Sequence, residues 1–148
     1  MGAIGPRPEF SGAGGWAPAA EWNLSDDGVG PWRVINTSTI HDGLQIADFT
    51  GNGKADVFRA NGKAWYISED GTDPWRQINT SPVKDGLQIA DFTANGKADV
   101  FRADGKAWYI SEDGTGPWRP INHMSEHSQL HFADFTGNGK ADVFRPWG

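Results

Sequence analysis

The sequence predicts an all-β protein, and three observations carry that prediction. The 148 residues include 20 Gly, 9 Pro and 8 Trp. Gly and Pro punctuate chains into turns, while aromatic residues favour strands, so this composition disfavours helix and suits many short strands. The second observation is a repeat. Residues 42–79 (DGLQIADFTGNGKADVFRANGKAWYISEDGTDPWRQIN) recur 43 positions later at 85–122, with 4 of 38 positions changed: Gly51/Ala94, Asn61/Asp104, Asp73/Gly116 and Gln77/Pro120. The third is that no segment shows a helical period.

Each repeat divides into four strands. Leu44–Phe49 runs between Gly43 and the Gly-rich loop Thr50–Lys54. Ala55–Ala60 follows, and its adjacent Val57 and Phe58 imply a strand covered on both faces. Asn61-Gly62, with Asp104-Gly105 in the second copy, predicts a two-residue type I′ hairpin. Lys63–Ser68 is the third strand, Asp70-Gly71 marks a turn, and Trp75–Asn79 is the fourth. Four strands in 43 residues is the size of a β-propeller blade, usually ~40–50 residues. A β-solenoid is the weaker fit, because its coils are shorter and lack internal hairpins.

The repeat continues past both full copies. Trp22–Asn36 matches strands three and four, and Ala133–Arg145 matches strands one and two. Residues 16–148 therefore hold three blade-equivalents: a half-blade at 16–36, blades at 42–79 and 85–122, and a half-blade at 128–145. Residues 1–15 (MGAIGPRPEFSGAGG) read as a flexible leader or expression remnant. Three blades are too few for a ring of four to eight. The expected assembly is a homodimer closing a six-bladed ring, each C-terminal half-blade completed by the partner's N-terminal half. The alternative is a piece of a longer chain. The near-identity of the copies points to recent duplication or design.

Thirteen Lys and Arg against nineteen Asp and Glu leave a formal charge of −6. That argues against a phosphate-tracking nucleic-acid binder and against an anionic membrane surface. No apolar run reaches the ~18 residues of a membrane span, and no signal-peptide pattern opens the chain. The absence of cysteine excludes disulfides, thiol nucleophiles and Cys-ligated metal.

The loop Asp48-Phe49-Thr50-Gly51-Asn52-Gly53-Lys54-Ala55-Asp56 places oxygen donors at positions 1, 3, 5 and 9, a carbonyl at 7 and Gly at 6. Such an all-oxygen shell suits a hard cation, so Asp48, Thr50, Asn52, the Lys54 carbonyl and Asp56 form a candidate calcium site. Asp91, Thr93, Asn95, Lys97 and Asp99 form a second, and Asp134, Thr136, Asn138, Lys140 and Asp142 a third. With two carboxylates each, these sites are weak, ~10⁻⁴–10⁻³ M. An Asx-type turn, in which Asp48 and Asn52 bond the loop's own amides, is the competing reading.

At these residues the sequence resembles the FG-GAP/VCBS repeat family, whose loop reads D-x-D/N-x-D-G-x-x-D before an apolar strand. ADFTGNGKADVFR matches positions 1, 6 and 9 and the flanking strands, and the AWYIS and Pro-Trp strands extend the likeness over Trp16–Arg145. Thr50 and Asn52 depart from the family's usual acids. The resemblance implies a propeller with metal loops between the first two strands of each blade, a kinship with propeller lectins that bind glycans between blades, and an extracellular setting.

The strand-three residues Trp65 and Trp108 are expected to pack between blades. On strand four, Trp32-Arg33 with Asn36, Trp75-Arg76 with Asn79, and Trp118-Arg119 with Asn122 each set an aromatic plane near a guanidinium and an amide. That trio is a candidate glycan site; a surface cation–π contact is the alternative. His123, His127 and His131 have the spacing of a zinc face on a helix, but the register puts them in a linker and a strand start, where solvated side chains are expected. No nucleophile–base–orienter set recurs, so no enzyme is expected. Asn23, Asn36 and Asn79 each open an N-x-Ser pattern. The function expected is a multivalent carbohydrate-binding propeller; the alternative is a structural or designed self-assembling scaffold without a small ligand.

Overall fold

The computed structural model describes residues 20–147. Residues 1–15, expected as a leader, and Trp16 lie outside the described residues. The described chain groups into two compact units, residues 20–42 with Gly71–Asp73, and Gly43–Asp70 with residues 74–147.

In the first unit, β1 (Trp22–Ser25) and β2 (Trp32–Asn36) form an antiparallel pair across a single 3-10 turn, Asp26–Gly28. The indole N–H of Trp22 donates to the Ile40 carbonyl at 2.7 Å. Asn36 donates its side-chain amide to the carbonyl of Gly71 at 3.0 Å.

The second unit contains two full repeats and a half. Strands β3 (Gln45–Ala47), β4 (Asp56–Ala60), β5 (Trp65–Ser68) and β6 (Arg76–Asn79) form one antiparallel meander. Strands β7 (Gln88–Ala90), β8 (Asp99–Ala103), β9 (Trp108–Ser111) and β10 (Trp118–Asn122) form the next in the same order. Strands β11 (His131–Ala133) and β12 (Asp142–Phe144) form a two-stranded sheet. The protein is all-β, built from a repeated four-stranded antiparallel sheet.

The core of this unit lies between successive sheets. Phe58, Trp65 and Ile67 of one meet Leu87, Ala98 and Val100 of the next. Phe101, Trp108 and Ile110 pack in turn against Leu130, Phe132 and Val143. Val57 and Phe58 are both buried, as are Val100 and Phe101, so the second strand is covered on both faces. Trp65 is fully buried, and its indole N–H donates to the Val83 carbonyl at 2.7 Å, leaving no unpaired polar atom in an apolar site. Truncating such a residue typically costs ~3–5 kcal/mol.

Backbone bonds stitch the sheets together. The Asp48 carbonyl accepts the Ala98 N–H, and the Asp91 carbonyl accepts the Ala141 N–H, both at 2.8 Å. Gly114 approaches Phe49 so closely that a β-carbon there would stand 3.2 Å from the ring. Its φ of +73° excludes most other residues in any case.

Two local expectations change. The Asn61-Gly62 connection is not a two-residue type I′ turn. Ala60 pairs with Trp65 across four intervening residues, and only Gly62 takes positive φ. The Asn61 side chain accepts the amides of Lys63 and Ala64, both at 2.9 Å, and Asp104 does the same for Lys106 and Ala107. An Asx turn thus does the work that two left-handed residues were expected to do. The strands are also shorter than their apolar runs suggest, because loop side chains satisfy the backbone groups at their ends.

Candidate functional site

The fourth strand lies at the edge of each sheet. Successive strand residues point to opposite faces, so Trp118 and Arg119 diverge. Trp118 turns inward and meets Trp65 edge to face at 5.5 Å, keeping part of its ring exposed. Trp32 in the first unit is 54% exposed, and Trp75 is half-buried just before β6. Each Arg faces solvent and pairs with the acid seven residues earlier. Arg33 grips Asp26 with bonds of 2.6 and 3.1 Å. Arg76 pairs with Glu69 and Arg119 with Glu112. The Arg33 bonds hold the Asp26 carboxyl below its ordinary value.

The Asn side chains bond nearby backbone. Asn79 donates to the Gly114 carbonyl at 3.0 Å and the Gly116 carbonyl at 3.3 Å, and its own oxygen accepts the Ser81 N–H at 2.9 Å. It is a strut from one sheet to the turn of the next. Asn36 makes the corresponding bonds in its unit, and Asn122 accepts the His123 N–H at 2.8 Å. The structure therefore places Trp and Arg next to each other along the edge segment but on opposite faces, and directs Asn36 and Asn79 to neighbouring backbone. The signal for the acid partners was present in the sequence, since Asp26, Glu69 and Glu112 all precede their Arg by seven residues.

The carboxylate loops fold around their own amides. Asp48 accepts N–H bonds from Gly51 at 2.7 Å, Gly53 at 2.8 Å and Thr50 at 3.1 Å, and the Thr50 hydroxyl at 3.3 Å. Asn52 accepts the Lys54 N–H at 2.9 Å and donates to Asp70 at 3.0 Å. Asp56, fully buried, accepts the Phe49 and Asp70 amides, each at 2.8 Å. Asp91, Thr93, Asn95, Lys97 and Asp99 repeat this pattern. In the third loop Asp134 takes the amides of Gly137 and Gly139, Asn138 takes that of Lys140, and Asp142 takes that of Phe135.

Partial desolvation pulls the Asp48 carboxyl up, but the amides of Gly53, Gly51 and Thr50 together outweigh it and hold it below the usual value. The Gly139 amide leads in lowering Asp134. Burial is the largest influence on Asp99 and raises it. These oxygens face amide protons, and among the described residues no group of three or more His, Cys, Asp or Glu could hold a metal ion. His123, His127 and His131 are all exposed, the last at the start of β11.

The fold is similar to that of a lectin from Agrocybe aegerita. That structure is described as the basis of specific recognition of non-reducing terminal N-acetylglucosamine. The similarity has a TM-score of 0.57 at 19% identity and covers 88% of this chain and 48% of the lectin, so the chain spans about half the lectin's length. No family model and no curated protein sequence matches. The loop likeness to FG-GAP/VCBS repeats therefore has no family match beside it.

The same loop geometry also marks something the sequence concealed. The Asp at position 9 reaches forward to the turn after strand three. Asp56 holds the Asp70 amide and Asp99 the Asp113 amide. It locks strands two and three of one sheet together, and nothing in local spacing announces a contact 14 residues away.

Proposed function

We propose that this protein binds carbohydrate, as a lectin-like module whose sites repeat along the chain. The observation that carries this reading is the shared fold with an N-acetylglucosamine-recognising lectin over 88% of the chain. The recurrent edge strand supports it: Trp32-Arg33, Trp75-Arg76 and Trp118-Arg119 offer an apolar plane and a guanidinium with its paired acid on an accessible edge. A pyranose can stack its C–H face on the exposed part of such a ring, or bond its hydroxyls to the ion pair on the opposite face of the strand. Weak identical sites gain avidity when presented together, and a ring of two chains is the proposed presentation. Calcium at the loops is a separate proposal. A cation would have to share Asp48 and Asp56 with their amides, so any binding is weak, ~10⁻³ M.

A second reading, a scaffold without a small ligand, is favoured by Trp118 packing on Trp65 and by Asn79 bonding the next sheet. A glycan array that includes terminal N-acetylglucosamine separates the two. Arg76→Ala and Arg119→Ala remove exposed ion pairs worth ~0–1 kcal/mol, so they should leave folding intact. Loss of glycan signal in folded double variant supports the lectin reading. A wild-type chain silent across the array supports the scaffold.

A further inference from the structure

The two half-repeats carry the two complementary halves of one repeat: β11 and β12 match its first two strands, β1 and β2 its last two. In the full repeats, β8 pairs with β9 as Val100↔Ser111, Phe101↔Ile110, Arg102↔Tyr109 and Ala103↔Trp108, and β4 pairs with β5 identically. We propose that β12 of one copy is completed by β1 of a second copy in this register: Val143↔Ser25, Phe144↔Leu24, Arg145↔Asn23 and Pro146↔Trp22. The proposal specifies the seam of the assembly invoked above and does not depend on glycan binding.

Four observations support it. Leu24 is 42% and Phe144 46% exposed, whereas Ile67, Ile110, Phe58 and Phe101, at the same repeat positions, are each 1% exposed. Apolar residues that are core in every complete repeat are surface only in the incomplete ones, and the register places these two opposite each other. Second, the carboxylate latch is half made. Asp56 and Asp99 each use Oδ1 to hold the amide of Asp70 or Asp113. Asp142 holds Phe135 through Oδ2, and its Oδ1 takes no amide among the described residues. The matching amide belongs to Asp27, whose φ of +56° reproduces the +57° and +58° of Asp70 and Asp113. Asn138 likewise corresponds to Asn52 and Asn95, which donate to the Asp70 and Asp113 carboxylates.

Third, the buried Asn23 Oδ1 has no hydrogen-bond partner among the described residues. The register sets Asn23 opposite the guanidinium of Arg145, a group with donors for such an oxygen. Fourth, a cavity of about 650 Å³ lies beside Trp108, lined by Phe92, Ile121, Leu130 and Val143 among others. The corresponding side of Trp65 is covered by Trp118. Two repeats upstream of Trp118 stands Trp32, 54% exposed, and the second copy's Trp32 fits this cavity as Trp118 covers Trp65. An open sheet edge flanked by exposed apolar residues is otherwise an aggregation hazard.

The chain contains no cysteine, so single cysteines report one contact at a time. Asn23→Cys and Arg145→Cys variants, mixed and oxidised, should form a disulfide-linked pair, because directly opposed strand residues have the Cβ spacing a disulfide needs. Ser25→Cys mixed with Arg145→Cys, two positions out of register, should not. Light scattering of the wild type should give at least twice 16.1 kDa. Trp32→Ala should weaken association about 30-fold or more while circular dichroism stays unchanged. A folded wild-type monomer, or equal cross-linking in and out of register, overturns the proposal. A silent glycan array with an in-register cross-link leaves the seam standing and removes only the lectin reading.

Discussion

Ala94 shows how one methyl group is felt. It occupies a left-handed position with φ of +64°, where the other two repeats carry Gly51 and Gly137 at +79° and +76°. A β-carbon crowds the following carbonyl there, at ~1–2 kcal/mol for an L-residue. Ala94→Gly should therefore raise stability by about 1 kcal/mol, less the entropy an added glycine gives the unfolded chain. Urea denaturation checks this, and a lowered midpoint would sink the strain argument. The repeat alignment revealed the Gly/Ala difference. Only the backbone angle made it a strained site rather than a neutral one.

At the scale of elements, the loops connecting first and second strands are turns first. Their carboxylates satisfy amides inside the loop, while the Asp48 and Asp91 carbonyls tie each sheet to the next. Asp48 and Asp56 already accept amide protons from the loop and its neighbours. Chelator should leave the melting temperature unchanged, whereas a site binding only the folded state would add ~2.7 kcal/mol at 100 times its dissociation constant. A marked fall on adding chelator would instead show that a cation holds the loop. The spacing of Asp48, Asn52 and Asp56 reads equally as a cation shell and as a turn. Spacing does not choose between them, because amide protons and cations attract the same oxygens. Trp75, Arg76 and Asn79 were legible as a recurrent set, but Asn79 points at a backbone 35 residues away that spacing does not reveal.

For the whole molecule, the same loops contribute to the acid response. Asp48 and Asp134 have folded values below the ordinary 3.8, so their contribution is fully present above 3.8 and is lost as pH falls through the lower folded values. Asp99, raised by burial, runs oppositely: between 3.8 and its raised value, stability falls as pH rises. Below pH 3.8 the lowered carboxyls, Asp26 and Asp104 among them, govern, and the urea midpoint should decline there. Asp134→Asn should make that decline shallower, and an unaltered slope would remove Asp134 from the acid response.

The sequence by itself determined the all-β class, the 43-residue unit, the strand count within it and the burial of Trp65 and Trp108. Those follow from local periodicity and from repetition, both written in consecutive residues. The tertiary structure decided how the turns close, which acid each Arg holds, and that Asp56 latches strand two to the turn after strand three. It also showed which apolar positions remain uncovered in the half-repeats, Leu24, Trp32 and Phe144. These depend on contacts between residues distant along the chain, where orientation and exposure, rather than residue type, settle what a side chain does.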